Sequence, residues 1–391
     1  MNHTEFRSGA YGLRCRHVVT MQSNRSPISD GMLLVQGDSI TDVGPYHLLK
    51  KDFTGPIKDL GPKVLAPGLI NAHTHLELSH LQGKTVLGQG FVPWIKSLIQ
   101  LPLDEVDKSH IQTALSRLKQ TSTAGIADFS GHSPETIYPL LADSGLEYTL
   151  FKEFLGFQPV KDIWSNWPSS LSPGRDTALT LAGHALYSTH PGTLQKCKTW
   201  TNRKHRAFAV HLAECPEEVE LLATGRGAMA DLLLGTLLPR EYRPPGVSPV
   251  QYADQLGLLD PRSLVIHCVQ AEKEDIQIVG ERGSSICLCP RSNALIGVGA
   301  PPWEKMLQAG IPLCLGTDGL CSNTDLDLWG ELKHLLDQTR TQYPLEEVLK
   351  MVTVNPSFLL GKQHRLGTLE PGRKARISIV PQEIVQRLRW R

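Results

Sequence analysis

Residues 64–81, VLAPGLINAHTHLELSHL, place three histidines and a glutamate directly after an apolar run. The run has the character of a buried strand, and His73 and His75 lie where that strand should end. Because side chains at i and i+2 of a strand point to the same side, both imidazoles can reach one ion. A histidine-rich solvated loop is the simpler interpretation, since such a pair also occurs by chance. The choice between the two depends on the rest of the chain.

The bulk composition is that of an ordinary globular protein. The chain has 391 residues, of which 40% are hydrophobic and 20% charged, and its formal net charge is +1. Lysines and arginines are scattered, with no basic stripe interleaved with aromatics, so nucleic-acid binding is not expected. No window approaches the roughly 20 apolar residues of a membrane helix, and the first residues lack a signal-peptide pattern. We therefore expect a cytoplasmic protein that does not interact with membranes.

The eight cysteines include no C-x-x-C pair, which argues against a structural zinc knuckle. Their even number is compatible with disulfides, but several lie inside apolar, strand-like runs such as LVIHC and SICLC. In a large chain without a signal peptide, reduced cysteines in the core are the expected state.

Short apolar strands alternate with amphipathic segments along the middle of the chain. The segments between the strands include DKSHIQTALSRLKQTST (107–123), PEEVELLATG (216–225), EDIQIVGERG (274–283) and PPWEKMLQAG (301–310). The last three have apolar residues at helical spacing and a glycine just past the end. Parallel strands need such crossovers, and eight strands predict an α/β fold of the (β/α)8, TIM-like barrel type. A doubly wound open sheet would also alternate, but it has no preference for eight strands and no Gly-rich phosphate fingerprint follows the first one. The eight strand candidates are GLINAHTH (68–75), GIADFS (125–130), YTLFKEFLG (148–156), LAGHALYST (181–189), AFAVHLAE (207–214), SLVIHC (263–268), SICLCP (285–290) and PLCLGTD (312–318).

The two chain ends have a different texture. Residues 11–60 read as short strands with Gly-Asp and Gly-Pro turns, which predicts a small β domain. The tail, LGTLEPGRKARISIVP (366–381), repeats this pattern with a turn followed by an alternating strand.

Polar side chains recur at the ends of the predicted barrel strands. In such a barrel the catalytic groups lie at the C-terminal ends of the strands. Any one of these histidines, taken alone, could be a structural residue with its hydrogen bonds satisfied. Their recurrence at the same end predicts a site, because an unpaired buried polar group costs several kcal/mol. They are His73 and His75 on strand one, His184 on strand four, His211 and Glu214 at strand five, His267 on strand six and Asp318 on strand eight.

A metal centre is the chemistry that this set favours. The predicted ligands are three histidines and one aspartate: His73, His75, His211 and Asp318. They suit one Zn²⁺, with Fe²⁺ or another first-row ion as the alternative, and such an ion would lower the pKa of bound water to roughly 7. Glu214 is placed to move protons between water and leaving group, and Asp318 can accept a proton as well. His267 is interpreted as a hydrogen-bond partner of the activated water, with direct ligation as the alternative.

Five motifs in order, PGLINAHTHLE, HLAE, VIHC, CPRSN and GTDGLCSN, resemble the metal-dependent amidohydrolase superfamily over nearly the whole chain. The resemblance implies a barrel over residues 64–362 and a small flanking β-sandwich domain built from both chain ends, residues 1–63 and 363–391. The chain looks like the deaminase branch, which holds one metal and uses the H-x-x-E glutamate and the strand-six histidine for catalysis. The two-metal branch uses a carboxylated lysine near the end of strand four. Here that strand has no lysine, and Lys152 in the preceding strand is interpreted as a non-ligand. Arg376 departs from the family, which usually has aspartate there, and this bears only on the build of the C-terminal strands.

The resemblance also implies a set of substrate contacts. GHALYST (183–189) resembles the S-adenosylhomocysteine and methylthioadenosine deaminases, in which the histidine contacts substrate. CPRSN (289–293) is closer to the aminodeoxyfutalosine deaminases, so Arg291 would pair with a substrate carboxylate. The plainer interpretations are a loop carboxylate for Glu77, a core aromatic for Trp94 and a surface arginine for Arg291. The residues expected to contact substrate are Glu77, Trp94, His184, Glu214, Arg291 and Asn293.

The expected activity is that of a hydrolase acting on the non-peptide carbon–nitrogen bond of a cyclic amidine. The reaction would convert the aminopurine nucleoside 6-amino-6-deoxyfutalosine to futalosine and ammonia, on the futalosine route to menaquinone. Alternatives on the same site are deamination of S-adenosylhomocysteine, methylthioadenosine, adenosine or guanine, and amino- or chlorohydrolysis of a triazine or pyrimidine.

A non-catalytic metal-binding scaffold would lack an acid–base residue, and this chain has Glu214, His267 and Asp318. A cysteine nucleophile is less favoured, because strand alternation turns Cys268 away from the site. A homodimer is expected only because dimers are the commonest symmetric oligomers.

Overall fold

The computed structural model describes residues 9–164 and 178–390. The outermost residues of the predicted two-ended domain lie outside these ranges. The chain divides into two compact units, one of Met1–Asn71, Arg117–Gly125 and Leu328–Arg391, the other of Ala72–Ser116 and Ile126–Asp327. The domain boundaries drawn from sequence, at residues 63 and 363, remain a prediction.

Eight strands form one sheet in which each strand pairs with its neighbour along the chain. The third to eighth strands pair with one another in parallel. Most of these strands are buried throughout, as a parallel sheet covered on both faces requires. Every strand overlaps a predicted stretch, so the prediction of a TIM-like barrel is confirmed. The strands are β6 (Leu69–Thr74), β7 (Thr123–Ser130), β8 (Glu147–Phe154), β9 (Leu179–Ala185), β10 (Phe208–Leu212), β11 (Ser263–His267), β12 (Ser285–Leu288) and β13 (Leu313–Leu315).

The last barrel strand returns to the first at a seam. The backbone N–H groups of Thr317 and Asp318 both donate to the carbonyl oxygen of His73, each at 3.1 Å. A Cβ at Gly316 would lie 2.6 Å from the Cβ of His73, so only glycine allows this close approach. The seam thus brings Asp318 next to the His-x-His segment.

Helices connect the strands, and the four segments predicted as helical each contain one. They are α3 (Lys108–Gln120), α6 (Pro216–Thr224), α9 (Lys273–Glu281) and α11 (Trp303–Gln308). Gly225 ends α6 with a left-handed φ of 72°, the role predicted for a glycine just past a helix. The remaining helices are α1 (Tyr46–Leu49), α2 (Phe91–Leu98), α4 (Pro134–Asp143), α5 (Pro191–Arg203), α7 (Ala228–Leu233), α8 (Pro249–Gln255), α10 (Pro290–Ile296), α12 (Leu328–Asp337), α13 (Leu345–Lys350), α14 (Val354–Leu359) and α15 (Gln382–Arg387), with a 3-10 helix at Leu76–Leu81.

The strands outside the barrel form one mixed sheet of six strands. Both chain ends contribute to it, as predicted, and its inward residues form an apolar cluster that includes Leu33, Ile40 and Ile377. Arg376 does not prevent formation of the last strand, which starts at the next residue. That strand pairs antiparallel with residues Val64–Pro67. The strands are β1 (Ala10–Val18), β2 (Ile28–Gln36), β3 (Ser39–Pro45), β4 (Ile57–Asp59), β5 (Val64–Pro67) and β14 (Ile377–Ile379).

All eight cysteines lie in the described residues, where they are buried and form no disulfide bond. Within the described residues, no helix has the length and apolar character needed to cross a membrane.

Candidate metal centre and active site

The four predicted ligands lie together at the C-terminal ends of three barrel strands. His73 is on β6, His75 follows that strand, His211 is on β10, and Asp318 lies just past β13. The Nε2 atoms of His73 and His211 are 3.2 Å apart. The Oδ1 atom of Asp318 is 3.4 Å from Nε2 of His73 and 3.7 Å from Nε2 of His75. The structure therefore brings the whole set together.

Hydrogen bonds behind two of the rings fix which nitrogen faces the centre. Nδ1 of His75 lies 3.2 Å from the carbonyl oxygen of Phe129, and Nδ1 of His211 lies 2.7 Å from that of His184. A carbonyl can only accept, so each Nδ1 carries a proton, and in the neutral ring Nε2 presents a lone pair. Two lone pairs and the Asp318 carboxylate then converge on one point, which is favourable only around a cation. The residues thus fit one divalent ion, and a set of three nitrogens and one oxygen suits zinc.

Burial keeps two of the imidazoles neutral, the form that binds metals. It lowers the pKa of His73 to about 3 and that of His211 well below its ordinary value. Burial also lowers the pKa of His75, but the neighbouring carboxylates of Glu153 and Asp318 outweigh it, so that pKa is raised overall.

Asp318 is held by several independent contacts. Its Oδ2 atom accepts hydrogen bonds from the hydroxyls of Ser292 and Ser322, both at 2.7 Å. Its φ of 60° lies in the left-handed region, which aspartate tolerates better than most residues. Burial raises the pKa of Asp318, but the interactions with His73 and His75 outweigh it, so the pKa lies well below the ordinary value. The side chain is therefore an oriented carboxylate.

Glu214 and His267 form a pair beside the ligands. The chain turns after His211 through Ala213, whose φ is 52°, and the backbone N–H of Glu214 donates to Oε2 of Glu218 at 2.8 Å. Oε1 of Glu214 then lies 3.5 Å from Nε2 of His267. Burial, assisted by nearby carboxylates, raises the pKa of Glu214 well above its ordinary value, which favours the acid form. Glu214 can therefore act as a proton donor.

His267 is oriented by Asn293, one of the residues predicted to contact substrate. Nδ1 of His267 lies 3.0 Å from Oδ1 of Asn293, and burial lowers the pKa of the imidazole. His184, another predicted contact, lies with its ring 5.1 Å from that of His211, and its Nδ1 is 2.6 Å from the Ser188 hydroxyl. Both residues thus belong to the same cluster of polar groups.

The other predicted substrate contacts have protein partners. Glu77 is buried and accepts hydrogen bonds from the Ser130 hydroxyl and from backbone N–H groups of residues 131–133. The Trp94 indole N–H donates to the carbonyl oxygen of Cys321 at 3.2 Å. The Arg291 guanidinium makes a bidentate ion pair with Asp325, at 2.6 and 2.9 Å. Whether these three also meet substrate stays a prediction.

Three buried carboxylates near the centre were missed by the sequence reasoning. Asp128 on β7 accepts from the Thr74 hydroxyl and the Leu76 N–H, both at 2.9 Å. Glu153 on β8 lies 3.6 Å from Nδ1 of His211, and Glu218 holds the backbone of Glu214. Burial raises the pKa of each to about 7. For Asp128 and Glu153 a signal existed, because each lies near the C-terminal end of a predicted barrel strand, like the histidines.

The lysine and cysteine alternatives have little structural support. The Lys152 ammonium donates to the carbonyl oxygen of Ile163 at 3.0 Å and lies over the Phe154 ring. Burial raises the pKa of the Cys215 and Cys268 thiols, which disfavours a reactive thiolate.

Comparison with known proteins places the chain among amidohydrolases. The amidohydrolase family matches residues 161–388. The chain is 27% identical over 372 residues to a 5-methylthioadenosine/S-adenosylhomocysteine deaminase of Moorella thermoacetica, covering 90% of this chain and 82% of that protein. It is 26% identical over 320 residues to the aminodeoxyfutalosine deaminase of Deinococcus radiodurans, covering 78% and 75%. The crystal structure of Helicobacter pylori aminofutalosine deaminase with methylthio-coformycin matches with a TM-score of 0.81 at 24% identity, over 94% of this chain and 91% of that one. At that identity, the structural match shows the fold.

Proposed function

Since this chain belongs to the amidohydrolase family of metal-dependent hydrolases, we propose that it deaminates 6-amino-6-deoxyfutalosine to futalosine and ammonia. Its activity as a deaminase that hydrolyses a carbon–nitrogen bond rests on the family and on its deaminase relatives. The identity of the nucleoside and of the metal, zinc, belongs to the proposal.

One observation carries the chemistry: the buried Glu214 carboxyl lies 3.5 Å from His267, beside a converging set of three imidazoles and a carboxylate. His73, His75, His211 and Asp318 would hold the ion. When bound, a zinc ion supplies a water molecule whose pKa is lowered to about 7.

The proton steps belong to the side chains of this chain. Glu214 gives its proton to the ring nitrogen next to carbon 6 of the purine, because its raised pKa keeps the acid form available. The water oxygen bonds to carbon 6, one of its protons restores the acid form of Glu214, and the other passes through Asp318 to the amine. The bond between carbon 6 and the amine nitrogen then breaks, and ammonia leaves. His267, oriented by Asn293, hydrogen-bonds the oxygen that is added. His184 is proposed to contact the nucleoside from the β9 side of the cluster.

The CPRSN motif supports a substrate that carries a carboxylate. Arg291 is the second residue of α10, directly after Pro290, and its side chain is 17% exposed. A planar guanidinium has five N–H donors and suits carboxylates, as the bidentate pair with Asp325 illustrates. We propose that the substrate carboxylate binds at this ion pair, which methylthioadenosine could not use because it has no carboxylate.

The test is ammonia release by the zinc-loaded protein from aminodeoxyfutalosine, methylthioadenosine, S-adenosylhomocysteine, adenosine, guanine and cytosine. We expect aminodeoxyfutalosine to have the highest kcat/KM. A preference for a thio-nucleoside would refute the substrate and keep the mechanism. If the protein with metal bound released ammonia from none of these compounds, the proposed function would be refuted.

Substitution of the acid tests the mechanism. Glu214→Gln should retain metal and lose about 100-fold to 10,000-fold in kcat, the usual contribution of general acid–base catalysis. Glu220→Gln, on the exposed face of α6, is the matched control and should keep the native rate. A near-native rate for Glu214→Gln would contradict its assigned role.

A further inference from the structure

Glu153 is a buried carboxylate behind the proposed ligands, outside the ligand set itself. Its side chain is 7% exposed at the C-terminal end of β8, and Oε1 lies 3.6 Å from Nδ1 of His211. A ring nitrogen of His75, one of His211 and a carboxylate oxygen of Glu153 all lie within 4.8 Å of one another. Among the described residues, Oε1 has no hydrogen-bond partner. A buried carboxylate in this state is costly unless positive charge lies nearby.

These three residues do not form a second ion site. Nδ1 of His211 is committed to the carbonyl oxygen of His184 at 2.7 Å and therefore carries a proton. The same N–H faces the Glu153 carboxylate, while the lone pair on Nε2 faces His73. The hydrogen bond to His184 holds the ring in place, and the charge of a carboxylate near that N–H makes the opposite nitrogen a stronger donor to metal.

Charge counting points the same way. A divalent ion carries +2 and Asp318 supplies −1, so an ion bound by neutral imidazoles leaves one uncompensated positive charge in a buried site. The Glu153 carboxylate supplies the missing −1 next to both His75 and His211. Without the ion, the same buried carboxylate loses that compensating charge.

We propose that Glu153 is a positioning residue that strengthens metal binding through His211 and His75 and does not contact substrate. The inference rests on the proposed metal site, and it assigns a role to a residue outside the ligand and substrate sets.

The test is the zinc dissociation constant of the wild type and of Glu153→Gln, measured by competition with a chromophoric chelator. We expect a 10-fold to 100-fold weaker constant for Glu153→Gln, the usual effect of removing such a partner. At saturating zinc, the KM for the best nucleoside should stay within about twofold. Asp275→Asn is the matched control, since Asp275 is also buried but accepts from the Ser248 hydroxyl and the Glu272 N–H, away from the ligands. Its zinc constant should equal that of the wild type.

Unfolding of the metal-free proteins distinguishes a role of Glu153 in metal binding from a role in stability alone. Metal-free Glu153→Gln should unfold at the same or a higher urea concentration than the metal-free wild type, because the substitution removes a buried charge. The midpoint increase on adding zinc should be smaller than in the wild type. Glu153→Asp, which keeps the charge on a shorter side chain, should have an intermediate zinc constant and serves also if Glu153→Gln folds poorly.

Two results would overturn the inference. One is a zinc constant for Glu153→Gln within twofold of the wild type. The other is an unchanged zinc constant with a raised KM, which would make Glu153 a substrate contact. A wild type that binds no zinc would instead refute the proposed metal site, so the two failures are distinguishable.

Discussion

Glu77 provides the sharpest test of how the loop after β7 is held. Its carboxylate is 2% exposed and faces four donors on residues 130–133. Oε1 accepts from the Gly131 N–H at 2.9 Å, and Oε2 accepts from the Ser133 N–H at 2.9 Å and from the Ser130 hydroxyl. The His132 N–H lies 3.3 and 3.2 Å from the two oxygens. The carboxylate thus ties the His-x-His segment to the loop after the second barrel strand.

The substitution Glu77→Gln keeps the size of the side chain and removes one acceptor. Whichever way the amide turns, its NH₂ group faces either the Gly131 N–H or the Ser133 N–H. One charge-assisted hydrogen bond, worth about 1.5–3 kcal/mol, is lost, and a buried N–H is left unsatisfied at about 1–3 kcal/mol. Because such costs are not fully additive, we expect the free energy of unfolding to fall by about 2–5 kcal/mol.

The assay is urea unfolding of the zinc-loaded proteins, followed by circular dichroism. Glu105→Gln, at an exposed position, is the control and should stay within about 0.5 kcal/mol of the wild type. A loss below about 1 kcal/mol for Glu77→Gln, with a raised KM, would refute the reasoning. It would support instead the sequence-based prediction that Glu77 contacts substrate.

Three further predictions concern the polar groups around the centre. Ser322→Ala removes one of the two hydroxyl donors to Asp318, so chelator competition should show 10-fold to 100-fold weaker zinc binding, and an unchanged constant would contradict this. Asn293→Leu leaves Nδ1 of His267 unsatisfied at about 1–3 kcal/mol, so kcat should fall about 10-fold to 100-fold with KM kept, whereas a raised KM alone would make Asn293 a substrate contact. Burial raises the pKa of Asp128 to about 7, so the folded, metal-free chain keeps a proton there that the unfolded chain loses above about pH 4, and the free energy of unfolding falls as pH rises toward 7. Urea unfolding of metal-free protein should therefore show the wild type losing on the order of 3 kcal/mol relative to Asp128→Asn between pH 5 and pH 8, and a constant difference would be evidence against the raised pKa.

The barrel was predictable because buried parallel strands leave a simple pattern. Each strand is a short apolar run, and the next run follows a segment with helical spacing, as in AFAVHLAE and PEEVELLATG. The clustering of His73, His211 and Asp318 was predictable for the same reason, since the C-terminal ends of all strands meet at one face. These inferences use only local pattern and topology.

The contacts behind the ligands were not predictable in this way. The partners of Glu77 lie 53 to 56 residues away on another strand and loop, and their distance depends on the stagger between neighbouring strands. Glu153 and Asp128 sit inside apolar runs, where one carboxylate looks like an isolated exception until its partner is known. Pairing of Arg291 with Asp325 likewise depends on how the loop after β13 returns to α10.

The seam at His73 links the proposed metal site to closure of the barrel. One carbonyl oxygen, on a proposed ligand, receives the N–H groups of Thr317 and of another proposed ligand, Asp318. An ion bound by the His73 and Asp318 side chains would also stabilise the backbone hydrogen bonds between these residues. Its binding free energy would therefore stabilise the closed barrel against local opening at the seam. Amide hydrogen exchange at Thr317 and Asp318 should therefore slow on zinc addition by more than exchange in strands distant from the seam, such as β8. The metal ion would then stabilise the barrel as well as take part in the reaction.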